Sequence, residues 1–249
     1  MTRVQMGPLV LNTRPETDSA ALLAALDARG YRHLSAPMLD IAFPEPEQNF
    51  DISPYQALIF TSANGVRAFD RLSDDRSLPA LCVGDATARM CRELGFATVL
   101  SANGDIHDLA TLIRQQIDPA SGPLFHPAAR KTAGDLGKML REEGFTVDRQ
   151  TVYEAIGSDE LPQNVIEAFH LHHIDAVLFF SPRTAETFVK LVHIYKLEGT
   201  LGGVDAICLS PAVQSRISDL TWHRTHVASQ PTQEYLVSLL GSVVTACRT

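Results

Sequence analysis

The chain of 249 residues lacks long hydrophobic runs and an excess of basic residues. Its longest apolar stretches, such as residues 176–180, fall well short of the ~18 residues that span a membrane. Acidic residues outnumber basic ones by 29 to 21, and the formal net charge of −8 offers no broad surface for nucleic acid or anionic membranes. The first residues show no signal-peptide pattern. We therefore expect a cytoplasmic protein that binds neither nucleic acid nor membrane.

Cysteine is scarce, and none of the four cysteines has metal-binding or redox spacing. Two of them lie in apolar strand patterns, so we interpret all four as reduced core residues: Cys82, Cys91, Cys208 and Cys247. The cluster His170-Leu171-His172-His173 offers metal ligands, but a solvated helix end explains it better.

Common catalytic motifs are also missing. The sequence has no Gly-x-Gly-x-x-Gly after a strand, no phosphate-binding loop with Gly-Lys-Ser/Thr, no His-Glu-x-x-His and no Gly-x-Ser-x-Gly elbow. Nucleotide-dependent, zinc-dependent and serine-hydrolase chemistry are therefore not indicated. We expect no cofactor and no metal.

Short apolar runs alternate with helical patterns, which is typical of parallel sheets covered by helices. Strands are predicted at residues 9–11, 57–61, 81–83, 124–125, 176–180 and 206–209. Helices are predicted at residues 20–26, 63–72, 86–94, 108–116, 132–142, 184–195, 212–220 and 232–240. Polar residues that can cap helix starts are Asn64, Asp85, Asp105, Thr132 and Thr232.

The two parts of the sequence resemble each other. The matching pairs are residues 8–10 with 123–125, 57–62 with 176–181, 81–86 with 207–212, and 108–113 with 235–240. A period of about half the chain is too long for a solenoid and predicts two similar α/β domains.

The order of the repeats predicts that one domain is inserted into the other. We expect a first domain of residues 1–36 and 157–249, a two-stranded linker of residues 37–43 and 148–156, and an inserted domain of residues 44–147. The alternative is one continuous sheet of about ten strands, which loop-length and size statistics disfavour.

Small hydroxyl residues recur where the predicted strands end, and arginines lie near several of them. In parallel sheets ligands bind beyond these carboxyl ends, and helix starts with hydroxyl and backbone donors bind carboxylates or phosphates. For any single serine or threonine, capping of a helix is the simpler explanation. Recurrence in both halves favours one large polyanionic ligand.

Several stretches together resemble the uroporphyrinogen-III synthase family. They are Thr13-Arg14-Pro15, residues 60–66, residues 83–88, Val152-Tyr153, residues 180–185 and Pro231-Thr232. Each motif is weak, but the ordered set covers nearly the whole chain. The resemblance implies two α/β domains joined by a two-stranded ladder, with the substrate cleft between them.

The resemblance also implies a cofactor-free cyclising lyase of tetrapyrrole (haem) biosynthesis. Its substrate is the linear tetrapyrrole hydroxymethylbilane, handed over from the upstream deaminase. The product is uroporphyrinogen III, formed with loss of water and with inversion of ring D through a spiro intermediate. We expect the enzyme to be a monomer because no long exposed apolar stripe indicates a partner.

The matched positions suggest roles for individual residues. Tyr153 corresponds to a tyrosine that assists departure of the hydroxyl; the alternative is a packing residue at the hinge. The substrate-binding residues implied are Arg14, Ser62, Ala63, Asn64, Gly84, Thr87, Arg130, Ser181, Pro182, Ser210 and Thr232. Arg183 and Lys131 are further candidates for substrate binding. Any of these basic residues can instead simply balance the charge of the acidic surface.

Two other functions remain open from sequence. The first is a two-lobed binding protein that closes on an anion without catalysis. The second is a tetrapyrrole enzyme that inserts a metal, which needs a histidine–carboxylate pair. His107 and His126 are isolated in the sequence and do not supply that pair convincingly.

Overall fold

The computed structural model describes residues 7–45, 50–130 and 134–244. The chain divides into two compact units. Unit 1 comprises Met1–Asp40 and Ile156–Thr249, and unit 2 comprises Ile41–Ala155. No helix in these described ranges is long and apolar enough to cross a membrane.

Strands and helices alternate along most of the chain. The strands are β1 (Leu9–Asn12), β2 (Arg32–Ser35), β3 (Leu39–Ala42), β4 (Ala57–Phe60), β5 (Ala80–Cys82), β6 (Val99–Ser101), β7 (Leu124–Ala129), β8 (Val147–Gly157), β9 (Ala176–Phe179), β10 (Asp205–Cys208) and β11 (Arg224–Val227). The α-helices are α1 (Ala20–Asp27), α2 (Ala63–Asp70), α3 (Asp85–Glu93), α4 (Ile106–Gln116), α5 (Leu136–Glu142), α6 (Gln163–His170), α7 (Pro182–Tyr195), α8 (Pro211–Gln214) and α9 (Gln233–Val244).

The sheet of unit 1 has the strand order β11-β10-β9-β1-β2, and every neighbouring pair is parallel. Its central strand β9 is fully buried. Alternate residues enter two different hydrophobic cores, Val177 and Phe179 on one face and Ala176 and Leu178 on the other. Helices must therefore cover both faces, as is typical of parallel sheets.

The sheet of unit 2 has the order β3-β8-β7-β4-β5-β6, with parallel pairing from β8 through β6. Strand β4 likewise divides its side chains, with Leu58 and Phe60 in one core and Ala57 and Ile59 in the other. The boundary between the units falls within β3 and β8, which are neighbouring strands.

The two sheets repeat the same strand arrangement. Reading across them, β11, β10, β9, β1 and β2 occupy the positions of β6, β5, β4, β7 and β8. The sequence repeat pairs β1 with β7, β9 with β4 and β10 with β5, so it matches this equivalence. The predicted α/β class with helix-flanked parallel sheets is confirmed, and the alternative of a single continuous sheet is wrong.

Several predicted helix starts differ from the structure. Ser62, not Asn64, caps α2, and Gly84 precedes α3 in place of Asp85. The described part of α5 begins at Leu136 after the cap Asp135, because Gly134 has φ 85°, which a right-handed helix cannot contain.

The predicted start at Asp105 is confirmed, and the helix predicted at residues 212–220 is too long. Asp105 caps α4 and forms a reciprocal capping box with Asp108. Helix α8 ends at Gln214, not at residue 220. The hydroxyls of Ser215 and Ser218 bond to nearby backbone carbonyls there, and such local bonds compete with helix formation.

Candidate active site

Each sheet has a topological switch point, at which the connections from two neighbouring strands run in opposite directions along the sheet. In unit 1, β1 continues to β2 on one side and β9 to β10 on the other; in unit 2 the same holds for β7 and β4. Ligands of open parallel sheets bind beyond the carboxyl ends of the strands at this point. The residues that follow β1, β9, β4 and β7 are therefore candidates for ligand contact.

Tyr153 owes its direction to a bulge in β8. Residues Leu124 to Ala128 of β7 pair regularly with Val147 to Thr151, but Ala129 pairs with Tyr153. Val152 is thus an extra residue. Because side chains alternate between the faces of a strand, the bulge moves Tyr153 to the face that Val152 would otherwise take.

The phenol of Tyr153 lies against the start of α2. Its oxygen is 2.6 Å from Oγ of Ser62, and the same Oγ accepts a hydrogen bond of 3.1 Å from the Gly65 N–H. Tyr153 is only 7% exposed, and its ring packs near that of Phe43, with ring centroids 6.4 Å apart. Ser62 therefore caps a helix and holds the tyrosine hydroxyl at once.

A cavity of about 190 Å³ opens beside Tyr153 within unit 2. His126 on β7, Arg149 on β8 and Thr61 after β4 line it. Nε2 of His126 is 3.2 Å from Oγ1 of Thr61. Burial, reinforced by the charge of Arg149, lowers the pKa of His126 to about 4. The imidazole is therefore neutral at neutral pH.

In unit 1, the residues that follow β1 and β9 are of similar types but make different contacts. Ser181 caps α7 by accepting a hydrogen bond of 3.1 Å from the Thr184 N–H, and its Oγ lies 2.8 Å from the Thr184 hydroxyl. The guanidinium of Arg14 donates to Gln233 at 3.1 Å and stacks 4.5 Å from the centre of the Phe180 ring. These strand ends of unit 1 therefore combine the capped start of α7 with the positive charge of Arg14.

The remaining predicted binding residues have varied surroundings. Thr87 is buried within α3, at 5% exposure. Arg130 is exposed and pairs with Glu154 at 3.0 Å. Asn64 accepts a hydrogen bond from Arg67 at 2.6 Å, and the exposed Thr232 accepts one of 3.4 Å from the Tyr235 N–H.

Backbone positions make up the rest of the predicted set. Ala63 and Pro182 are the first residues of α2 and α7, and Gly84 and Ser210 immediately precede α3 and α8. Arg183 lies in the first turn of α7. Lys131 falls outside the described residues.

The contact between Thr61 and His126 was not predicted from the sequence, in which His126 stands as an isolated histidine. Strands β4 and β7 are neighbours, with Leu58 opposite Phe125. A signal was present, because Thr61 and His126 each stand near the end of an adjacent predicted strand. Only the register of the two strands showed that their side chains meet.

The described ranges contain no cluster of metal-ligating side chains. No group of three or more His, Cys, Asp or Glu residues there is arranged to hold a metal ion. His170, His172 and His173 are exposed at and just beyond the end of α6. This agrees with the interpretation of that histidine run as a solvated helix end.

Comparison with known proteins points to one family. The family model described as uroporphyrinogen-III synthase HemD matches residues 20–238. A uroporphyrinogen-III synthase from Synechococcus elongatus is 25% identical over 208 residues, or 75% of either chain. One from Chlorobaculum parvum is 27% identical over 197 residues, which cover 74% of this chain and 78% of its own.

Two solved structures share the fold. The chain aligns with uroporphyrinogen-III synthetase from Helicobacter pylori with a TM-score of 0.65 at 18% identity, over 96% of this chain and all of that one. A mutant uroporphyrinogen III synthase from Thermus thermophilus aligns with a TM-score of 0.56 at 16% identity, over 97% of this chain and 99% of its own. Because the family model spans most of the chain, the chain belongs to the uroporphyrinogen-III synthase family.

Proposed function

We propose that the chain cyclises hydroxymethylbilane to uroporphyrinogen III, as a lyase of tetrapyrrole biosynthesis. One structural observation supports this proposal beyond family membership. Tyr153, whose hydroxyl lies 2.6 Å from Oγ of Ser62, lines a cavity at the carboxyl ends of the strands of unit 2. A phenol in this position can donate a hydrogen bond to a leaving hydroxyl.

The reaction requires one bond to break before the ring closes. The terminal C–O bond of the bilane breaks, and the hydroxide leaves as water after it gains a proton. The resulting cation is attacked by the substituted carbon of ring D, which gives the spiro intermediate. Fragmentation and reclosure then invert ring D, and loss of a proton restores the pyrrole. Electrostatics and positioning can supply this catalysis without a strong nucleophile.

Tyr153 assists the departure of the hydroxide in this proposal. Oγ of Ser62 accepts a hydrogen bond from the Gly65 N–H and lies 2.6 Å from the phenolic oxygen, so Ser62 fixes the position of the phenol. With an ordinary pKa near ~10 a phenol is a weak acid, so we propose a hydrogen bond to the leaving oxygen before complete proton transfer.

Helix starts and arginines bind the acetate and propionate groups of the bilane in the same proposal. Ser181 and Arg14 act in unit 1, and Arg130 with the start of α2 acts in unit 2. Helix N-termini attract carboxylates through backbone N–H groups and the helix dipole. Local donors of this kind reconcile a polyanionic substrate with a net charge of −8.

We propose further that the enzyme is a cytoplasmic monomer that receives the bilane directly from the upstream deaminase. Free bilane closes spontaneously to the uninverted isomer, and direct transfer limits that loss. Large hydrophobic side chains exposed in the described ranges are scattered, at Ile156, Leu171, Ile194 and Tyr235. Light scattering after size exclusion tests the monomer, and a dimer mass would contradict it.

The activity is tested with hydroxymethylbilane in metal-free buffer. The products are oxidised, and the porphyrin isomers are separated by chromatography. We expect type III to dominate and the rate to exceed that of the blank. Type I alone, formed at the blank rate, would overturn the activity and favour a binding protein that closes on an anion.

A further inference from the structure

His126 lacks a role in the proposed reaction, yet its surroundings are unusual for a core residue. It lies on β7 with 3% of its surface exposed. Its Nδ1 atom is buried and has no hydrogen-bond partner in the described part of the chain. Its Nε2 atom contacts Thr61 at 3.2 Å. Buried polar atoms are normally paired, so the unpaired nitrogen constrains where the ring proton sits.

The ring proton belongs on Nε2. If Nδ1 carried it, a buried N–H donor would be left without an acceptor, which is rarer in proteins than an under-satisfied acceptor. With the proton on Nε2, the ring donates to Oγ1 of Thr61 and Nδ1 keeps only a lone pair. The pKa of His126, lowered to about 4 by burial, keeps the ring from binding a second proton at neutral pH.

This tautomer determines what Thr61 can do. Because its oxygen accepts from His126, its own hydrogen must point elsewhere. The side chain is partly exposed and lines the cavity that Tyr153 also lines. No other hydrogen-bond partner of the Thr61 hydroxyl occurs among the described residues. Its hydrogen is therefore available to an acceptor in the cavity.

We infer that His126 is a positioning residue that turns the Thr61 hydroxyl into a hydrogen-bond donor for a carboxylate arm of the substrate. This inference rests on the proposed function for the identity of that substrate. Arg149 lines the same cavity and supplies positive charge. Asp135, also at the cavity, accepts a hydrogen bond of 2.9 Å from the Lys138 N–H. In this inference the Thr61 hydroxyl binds the substrate beside Tyr153. The hydroxyl of the next residue in the chain, Ser62, instead caps α2.

The tautomer can be measured without any substrate. Long-range proton–nitrogen NMR on protein with labelled histidine separates the two neutral tautomers, and the His126→Gln variant assigns the signal. We expect the Nε2–H form, unchanged from pH 8 to pH 5.5. An Nδ1–H form, or a ring that gains a proton within that range, would overturn the inference whether or not the protein is a synthase.

Kinetics test the role of the hydroxyl. Thr61→Val keeps the shape of the side chain and removes the donor, and we expect KM for hydroxymethylbilane to rise about tenfold, as for one hydrogen bond to a charged group. His126→Leu should raise KM about threefold. The double variant should be no worse than Thr61→Val alone, because both remove the same interaction.

Two further variants separate positioning from packing. The amide nitrogen of Gln reaches the place of Nε2, so His126→Gln should recover most of the loss seen with His126→Leu. Thr225→Val, on the exposed edge strand β11, is the matched control and should leave KM unchanged. Additive effects in the double variant, or lowered stability with an unchanged KM, would overturn the inference. If the wild type made no type III isomer, the kinetic test would fail with the proposed function, while the NMR result would still decide the tautomer.

Discussion

At the scale of single residues, the phenol of Tyr153 is the group to which we assign assistance of the leaving hydroxide. We predict that Tyr153→Phe lowers kcat about 100-fold, the lower range for general acid assistance, and leaves KM nearly unchanged. The ring still fills its place near Phe43, so the fold should persist. Initial rates and isomer ratios measure both effects.

Tyr55 offers a matched control for that substitution. Its hydroxyl donates to Asp148 at 2.5 Å, and burial, together with this hydrogen bond, raises the pKa of Tyr55 to about 12. Tyr55→Phe also removes one phenolic hydroxyl from unit 2, but it should leave kcat unchanged. Wild-type turnover and isomer ratio in Tyr153→Phe would remove Tyr153 from the mechanism.

His126 should also make stability depend on pH. Its folded pKa of about 4 lies below the ordinary 6.5, so between these values the unfolded chain binds a proton that the native protein does not. The native state should thus lose up to about 3 kcal/mol as pH falls from 6.5 to 4, and keep its full stability above 6.5.

The measurement compares urea unfolding of the wild type and His126→Gln at pH 7.5 and pH 4.5. Every other titratable group, Arg149 in the same cavity included, is present in both proteins, so the difference between them isolates the histidine. A difference that stays constant between the two pH values would show that His126 is not held neutral by burial.

At the scale of secondary structure elements, the start of α2 bears both on the stability of the fold and on the role that we propose for Tyr153. Ser62→Ala removes both the cap of α2 and the contact with the Tyr153 hydroxyl. We predict a loss of about 1 kcal/mol in the free energy of unfolding, typical of a lost helix cap. We also predict a roughly tenfold lower kcat, because the phenol loses the hydrogen bond that orients it.

The cap of α4 provides the comparison for Ser62. Asp105 caps that helix through the His107 and Asp108 N–H groups, is exposed and forms no hydrogen bond with Ser62 or Tyr153 among the described residues. Asp105→Ala should lower stability and keep kcat. If both variants lost stability and neither lost turnover, Ser62 would be a cap alone.

At the scale of the whole molecule, each unit has its own hydrophobic cores. The only tryptophan, Trp222, packs against Phe179 and Phe188 in unit 1. Phe69 is fully buried in a core of unit 2. Because the cores of the two units are separate, we predict unfolding that is not two-state. Tryptophan fluorescence should report unit 1, and circular dichroism should report both units.

We predict that Phe69→Ala destabilises unit 2 by about 3 kcal/mol or more, as is typical for a buried phenylalanine. The circular dichroism transition should then begin at lower urea, while the midpoint measured by Trp222 fluorescence stays in place. Phe188→Ala, in the core of unit 1, should shift the fluorescence midpoint instead. Equal shifts in both signals for Phe69→Ala would indicate that the whole chain unfolds cooperatively.

Much of the fold could be predicted because its signals are local. The fully buried strands read as short apolar runs, and the repeat of β1 with β7 and of β9 with β4 is visible in the residues themselves. Helix starts were less predictable, since several polar residues compete at each one. Asn64 and Ser62 can both cap a helix. In the structure the backbone is still extended at Ser62, which takes the cap position, and Asn64 lies inside α2.

The amino-acid sequence by itself determined the α/β class, the internal repeat, the family and the strand ends that we propose for ligand binding. Only the tertiary structure decided which side chains meet there. The bulge at Val152 turns Tyr153 toward Ser62, and the pairing of β4 with β7 brings Thr61 to His126. Such contacts join residues more than 60 positions apart, and a shift of one residue in strand register would move each side chain to the other face.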